Sequence, residues 1–173
     1  MTLKVSTPMH NLPTNPTLSR RIIGIDPGSR ITGYGIIDLS KRHCNYVASG
    51  SIRATTGTFF QRITAIHKAI LQLIDTYQPT ESAIEQVFVS KNASSALKLG
   101  HARGAAIIAL MRHNLPVGEY APRQIKQSIV GTGSAQKSQV QAMIIQHLSL
   151  SSTPAVDAAD ALAVALCHAF NSG

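Results

Sequence analysis

Asp26, Glu85, Asp157 and Asp160 are four of only eight acidic residues in a chain of 173, and each stands in or at the end of an apolar stretch. The run RIIGID closes on Asp26, the run SAIE closes on Glu85, and Asp157 and Asp160 open the apolar segment VDAADALAVALCHAF. A carboxylate in such surroundings costs several kcal/mol of desolvation unless a cation or a set of donors meets it, on the order of the cost of any unpaired buried charge. Each acid alone has an ordinary explanation: an Asx turn for Asp26, a solvated strand end for Glu85, and helix-dipole stabilisation for the first-turn Asp157. Asp160, one turn further in, fits the last account poorly. Spaced i and i+3, Asp157 and Asp160 share one helix face and can project toward one point. Four carboxylates brought together repel one another unless a cation intervenes. Oxygen-only ligation with no Cys or His cluster selects magnesium or manganese over zinc. Two such ions about 3.5–4 Å apart would clamp an in-line displacement at phosphorus.

Convergence depends on the elements that carry these acids. Residues 21–25 read as a short buried strand, with Pro27 and Gly28 turning into a hairpin partner over 32–39. Residues 43–54 alternate as a third strand, where Gly50 marks a bulge or a close approach. Phe59, Ile63, Ile66, Ile70, Leu73 and Tyr77 recur at helical spacing behind Thr58 as N-cap. Residues 82–87 form a strand, and the strand–helix–strand connection favours parallel pairing with the first strand. That topology puts Glu85 beside Asp26 at the C-terminal ends of neighbouring strands, where open α/β sheets place their ligands.

Asn92 caps a helix running to about His113, rich in Ala and Gly and suited to close packing. A fifth strand over 116–120 follows, then a short helix over 121–130, a flexible loop over 131–134 and a helix over 135–148. The last helix is expected to take Thr153 as N-cap and Pro154 as its first residue, and to run to Phe170. With Asp157, Asp160 and His168 its only charged or His side chains, it should be buried.

Length allows one domain with a full core, residues 20–173, preceded by a Pro- and Asn-containing arm over 1–19 expected to be disordered. The chain carries 16 Lys and Arg against 8 Asp and Glu, a net charge of +8, the electrostatic footprint of nucleic-acid binding. Two distant cysteines make no disulfide framework and suit a reducing cytosol. No apolar run reaches the roughly 18 residues of a membrane span. A two-domain nucleotide cleft of the actin and sugar-kinase kind would need a longer chain.

Four blocks in order, GIDPGSRITGYG (24–35), AIEQVFVSKNASSALKLGHARG (83–104), RQIKQSIVGTGSAQKSQV (123–140) and DAADALA (157–163), resemble the RuvC family of crossover-junction endodeoxyribonucleases. The resemblance spans residues 21–170. It implies an α/β, ribonuclease H-like fold, a five-stranded mixed sheet with helices on both faces. It also implies resolution of four-way (Holliday) DNA junctions by paired symmetrical nicks, with two magnesium ions per site, for which manganese may substitute.

By the same resemblance Asp26, Glu85, Asp157 and Asp160 are the catalytic, metal-binding tetrad; some members carry His at the position of Asp157. Phe88 matches an aromatic that stacks on an unpaired base, an interaction worth about 1–3 kcal/mol. Lys126 and Lys137 match DNA-binding lysines, and Lys91, Arg123, Lys98 and Arg103 are further candidates for phosphate contacts. His101, His113 and His168 share no metal-ligand spacing and read as structural. Two symmetric cuts imply a homodimer, for which the helix after Asn92 is the expected interface. The resemblance further implies RuvA and RuvB as partners and a cytoplasmic location.

Overall fold

The computed structural model of the chain describes residues 20–87 and 92–172. Ten elements follow one another: β1 (Arg20–Asp26), β2 (Ile31–Ser40), β3 (His43–Arg53), α1 (Phe59–Tyr77), β4 (Glu81–Glu85), α2 (Ala93–Arg112), β5 (Val117–Tyr120), α3 (Pro122–Val130), α4 (Lys137–His147) and α5 (Val156–Asn171). The five strands form one sheet in the order β3-β2-β1-β4-β5. β1 pairs antiparallel with β2 and parallel with β4, and β5 extends the parallel half. The mixed sheet expected from sequence is therefore present. Among the described residues no helix is long and apolar enough to cross a membrane.

Strand alternation divides the core. Ile23 and Ile25 of β1, Tyr34 and Ile36 of β2 and Ile84 of β4 face α1 and α2. Ile22, Ile37 and Ala83 face α3, α4 and α5. Because side chains alternate with period 2, Asp26 falls on the α5 side with Ile22 and Gly24, and Glu85 falls there with Ala83. α1 starts as its sequence requires: Thr58 and Gln61 form a reciprocal capping box, satisfying two backbone donors at once.

Glycines decide how closely α5 lies on the sheet. A Cβ on Gly24 would stand 2.4 Å from the Ala161 carbonyl oxygen, one on Gly33 2.0 Å from that of Asp157, and one on Gly35 2.7 Å from Leu162 N. Helix backbone thus rests directly on β1 and β2. α5 runs antiparallel to β1, its first turn at the Asp26 end and Ser172, just past its last turn, hydrogen-bonded to Arg20. Its eleven buried residues agree with the apolar pattern.

One local expectation changes and another is narrowed. α5 begins at Val156 with Ala155 as N-cap, two residues later than the Thr153–Pro154 signal implies; Gln141 Nε2 donates to the Pro154 carbonyl at 3.3 Å and holds that residue in the loop. The irregularity in β3 falls opposite Ile36 and Ile37 rather than at Gly50. Gly50 instead makes the close approach, with the Tyr34 ring where a Cβ would stand. The expected arm, residues 1–19, lies outside the described residues.

Candidate active site

Asp26 ends β1 and Glu85 ends β4. Their strands are registered Ile25 to Ile84, so the two carboxylates follow at the next position, on the same face. α5 contributes the other two acids from its first and second turns, and Gly33 beneath the Asp157 carbonyl fixes how near that turn can come. Ser51 of β3 hydrogen-bonds Asp157 Oδ2 at 3.4 Å. Lys137, the first residue of α4, donates from Nζ to Asp160 Oδ2 at 2.7 Å.

The electrostatics show four acids sharing one field. Burial pushes Asp26 up from 3.8 to about 7, and the charges of Glu85, Asp160 and Asp157 push the same way, with Lys137 opposing. Glu85 is raised too, first by burial and then by Asp160, while a hydrogen bond with Asp26 and the charges of Lys137 and Lys126 pull it down. Lys137 is held more firmly protonated, chiefly by its bond to Asp160. Without a cation the site therefore favours the protonated form of Asp26, which shares a hydrogen bond with Glu85.

The donor set fits a hard divalent cation: carboxylate oxygens, no thiolate, and a field that penalises its own ionisation. Among the described residues no three His, Cys, Asp or Glu side chains already bracket a common point. Ions held there would require the carboxylates to draw closer together than they stand.

Other sequence candidates divide. Lys126 lies on α3, close enough to act on Glu85, and Arg123 is exposed one turn earlier, its stem against Gly133. Lys98 is exposed on α2. Arg103 is not a free phosphate ligand: its Nε donates to the Glu85 carbonyl at 3.2 Å and its Nη2 is bonded to Glu119. It ties α2 to the strand end that carries Glu85, a role invisible in sequence because Glu119 lies on another element. Phe88 and Lys91 lie outside the described residues. His168 bonds Tyr120 and Glu81, at the far end of α5 from the acids. Ser51 gave no sequence signal.

Residues 22–168 match the family described as crossover junction endodeoxyribonuclease RuvC. A protein of that name from Chromobacterium violaceum is 55% identical over 157 residues, 90% of this chain and 89% of the relative. One from Pseudomonas paraeruginosa is 53% identical over 148 residues, covering 86% and 85% of the two chains. Among solved structures, Thermus thermophilus RuvC in complex with a Holliday junction substrate superimposes with a TM-score of 0.83. It is 31% identical and covers 88% of this chain and 94% of that one.

Proposed function

The chain belongs to the RuvC family of crossover junction endodeoxyribonucleases, and from that premise we propose that it resolves four-way DNA junctions by paired symmetrical nicks, serving recombination and repair. The observation that carries the reading is Asp26, pushed to about 7 by burial and by three neighbouring carboxylates. Such a cluster is costly for folding, and a cation-dependent reaction accounts for the cost.

Asp26, Glu85, Asp157 and Asp160 are the proposed holders of two magnesium ions, with manganese as a substitute. Bound there, the ions would supply a more acidic water and charge neutralisation at the leaving oxygen. The chain's own residues set the conditions for that chemistry. Asp26 must lose its proton to ligate, so Lys137, which lowers its pKa, favours the competent state. Lys137 also reaches Asp160 from an exposed position and offers a cation where a scissile phosphate would approach. Lys126 and Arg123 extend that basic wall, and Phe88 is proposed as the base-stacking aromatic.

A homodimer would supply the two symmetric sites. α2 supports it: Leu97, Ile108 and Met111 of α2, like Phe60 of α1, are more than half exposed, and Gly100 and Gly104 have open space where a Cβ would stand. Because α2 also carries Arg103, the interface would connect through one side chain to the Glu85 strand end. RuvA and RuvB as partners and a cytoplasmic setting belong to the same proposal.

The test is incubation of the purified protein with a synthetic four-way junction and a linear duplex of the same sequence, with and without magnesium. Paired nicks confined to the junction with magnesium are expected. Equal cutting of the linear duplex would overturn the substrate assignment, and undiminished cutting without any divalent cation would overturn the metal assignment.

A further inference from the structure

The cations discussed so far, Lys137, Lys126 and Arg123, stand on the α3–α4 side of the carboxylates, but a DNA strand crossing the site must also leave on the β2–β3 side. There the sheet ends at β3, whose outer edge is unpaired among the described residues. A groove of about 1150 Å³ runs along that edge, between α1 and the segment joining α4 to α5. It opens at the active site: Ser51, whose hydroxyl bonds Asp157, and Ala158, the next residue of α5, are both in its wall.

Its chemistry is one-sided. No Asp or Glu lines it, five serines do, and the two charged residues in it are Arg53 and Lys68. Both are exposed. Neither enters an ion pair among the described residues, whereas Arg20, Arg21, Arg103 and Lys137 all do. Arg53 closes β3 at the same sheet end as Asp26, paired across the ladder with Ile31, next to the exposed Arg30. Hydroxyl groups, unpaired cations and edge amides without a carboxylate are the donor set that phosphate oxygens take.

Building on the function proposed above, we infer that this groove is a second phosphate-binding track, in which Arg53 and Lys68 hold the backbone of a DNA strand on the side of the active site opposite Lys137. The two cations contact phosphate and carry no base readout, so they contribute affinity and register rather than cutting preference. The groove places the strand so that its path over Asp26 is held from both ends.

The experiment is a titration of a fluorescent four-way junction, without added metal, between 50 and 200 mM salt. It compares the wild type with Arg53→Ala/Lys68→Ala and with a charge-matched control at the opposite end of the sheet, Lys41→Asn/Arg42→Ala. Asn suits position 41, whose φ is 56°. The groove variant should lose about tenfold in affinity at 100 mM salt and about 2 from the slope of log K against log salt, at about 0.9 per phosphate contact. The control should stay within twofold of wild type. Equal losses in variant and control, or a groove variant indistinguishable from a wild type that binds, would overturn the track and leave the functional reading standing. The open β3 edge would then be a candidate for strand addition by a peptide. A wild type with no salt-dependent junction binding would overturn both.

Discussion

Lys137 Nζ lies 2.7 Å from Asp160 Oδ2, a contact that brings the start of α4 onto the second turn of α5 and sets one cation among four acids. The same ammonium lowers the pKa of Asp26 and of Glu85 through space, so its charge acts on the whole cluster.

Replacing Lys137 by Ala removes that cation and lets Asp26 titrate above its position near 7. Carboxyl carbon NMR of the metal-free protein reads the shift directly. An unchanged Asp26 titration in the variant would show that Lys137 does not reach the cluster's field. Cleavage should fall by about 10- to 1000-fold, the range for loss of one preorganised charge or donor near a reacting centre.

Asp26→Asn separates stability from activity. A carboxyl whose folded pKa is raised contributes stability that is fully present below its unfolded value and lost as pH climbs through the folded one. For Asp26 the window runs from 3.8 to about 7. Above it the ionised wild type carries a penalty on the order of 4 kcal/mol at about 1.4 kcal/mol per pH unit, which Asn avoids. The metal-free variant should therefore unfold at a higher temperature than wild type at pH 8, by several degrees, with the gap closing toward pH 4. Cleavage should be lost at every pH. Magnesium should raise the melting temperature of wild type by selective binding to the folded state and do so far less in the variant.

Gly33→Ala tests whether backbone contact sets the site. The added methyl would stand 2.0 Å from the Asp157 carbonyl oxygen, so the first turn of α5 must lift off β2. Overpacking of this kind costs about 1–3 kcal/mol, measurable by urea unfolding. Junction cleavage should fall further than the loss of folded protein explains, because Asp157 moves with the turn. Full specific activity in the folded variant would mean the acids tolerate that displacement.

Much of this arrangement is legible in the amino-acid sequence. The apolar runs ending in Asp26 and Glu85 are short enough to be strands, and the connection between them forces parallel pairing, so their adjacency follows from topology alone. Thr58 announces α1 because a Thr just ahead of apolar residues at helical spacing is a good N-cap. What sequence hides is contact between distant elements. The Thr153–Pro154 pair has the right chemistry to open a helix, yet a hydrogen bond from Gln141 holds Pro154 in the loop and the helix starts at Val156. Arg103 looks like a surface cation until Glu119 and the Glu85 carbonyl are found beside it. The apolar pattern of β2 does not explain its two glycines, whereas in the structure Gly33 and Gly35 admit helix backbone.

The far end of the same sheet face offers a charge cluster that concerns folding and not cleavage. Arg20 grips Glu81 through two nitrogens, at 2.5 and 2.6 Å. His168 Nε2 meets Glu81 Oε2 at 2.9 Å, with Tyr120 on its other nitrogen. Glu81 opens β4 four residues before Glu85, so β4 carries a structural carboxylate at one end and a proposed catalytic one at the other. The hydrogen bond from Arg20 holds Glu81 below its usual 4.5, with His168 adding to it against a desolvation penalty. A depressed folded pKa contributes stability that is present above the unfolded value and lost as pH falls through the folded one. Wild type should therefore lose this contribution below pH 4.5. Glu81→Gln, which keeps shape but not charge, should cost about 1.5–3 kcal/mol at pH 7, the range for hydrogen bonds to charged groups. The cost should shrink as pH falls below 4.5 and Glu81 becomes protonated in wild type as well. Urea unfolding across a pH series gives the comparison, and a pH-independent difference would show that the charge of Glu81 contributes nothing. Junction cleavage per folded molecule should remain within about twofold of wild type, because the substitution lies at the opposite end of β4 from Glu85 and touches neither α4 nor the first turns of α5.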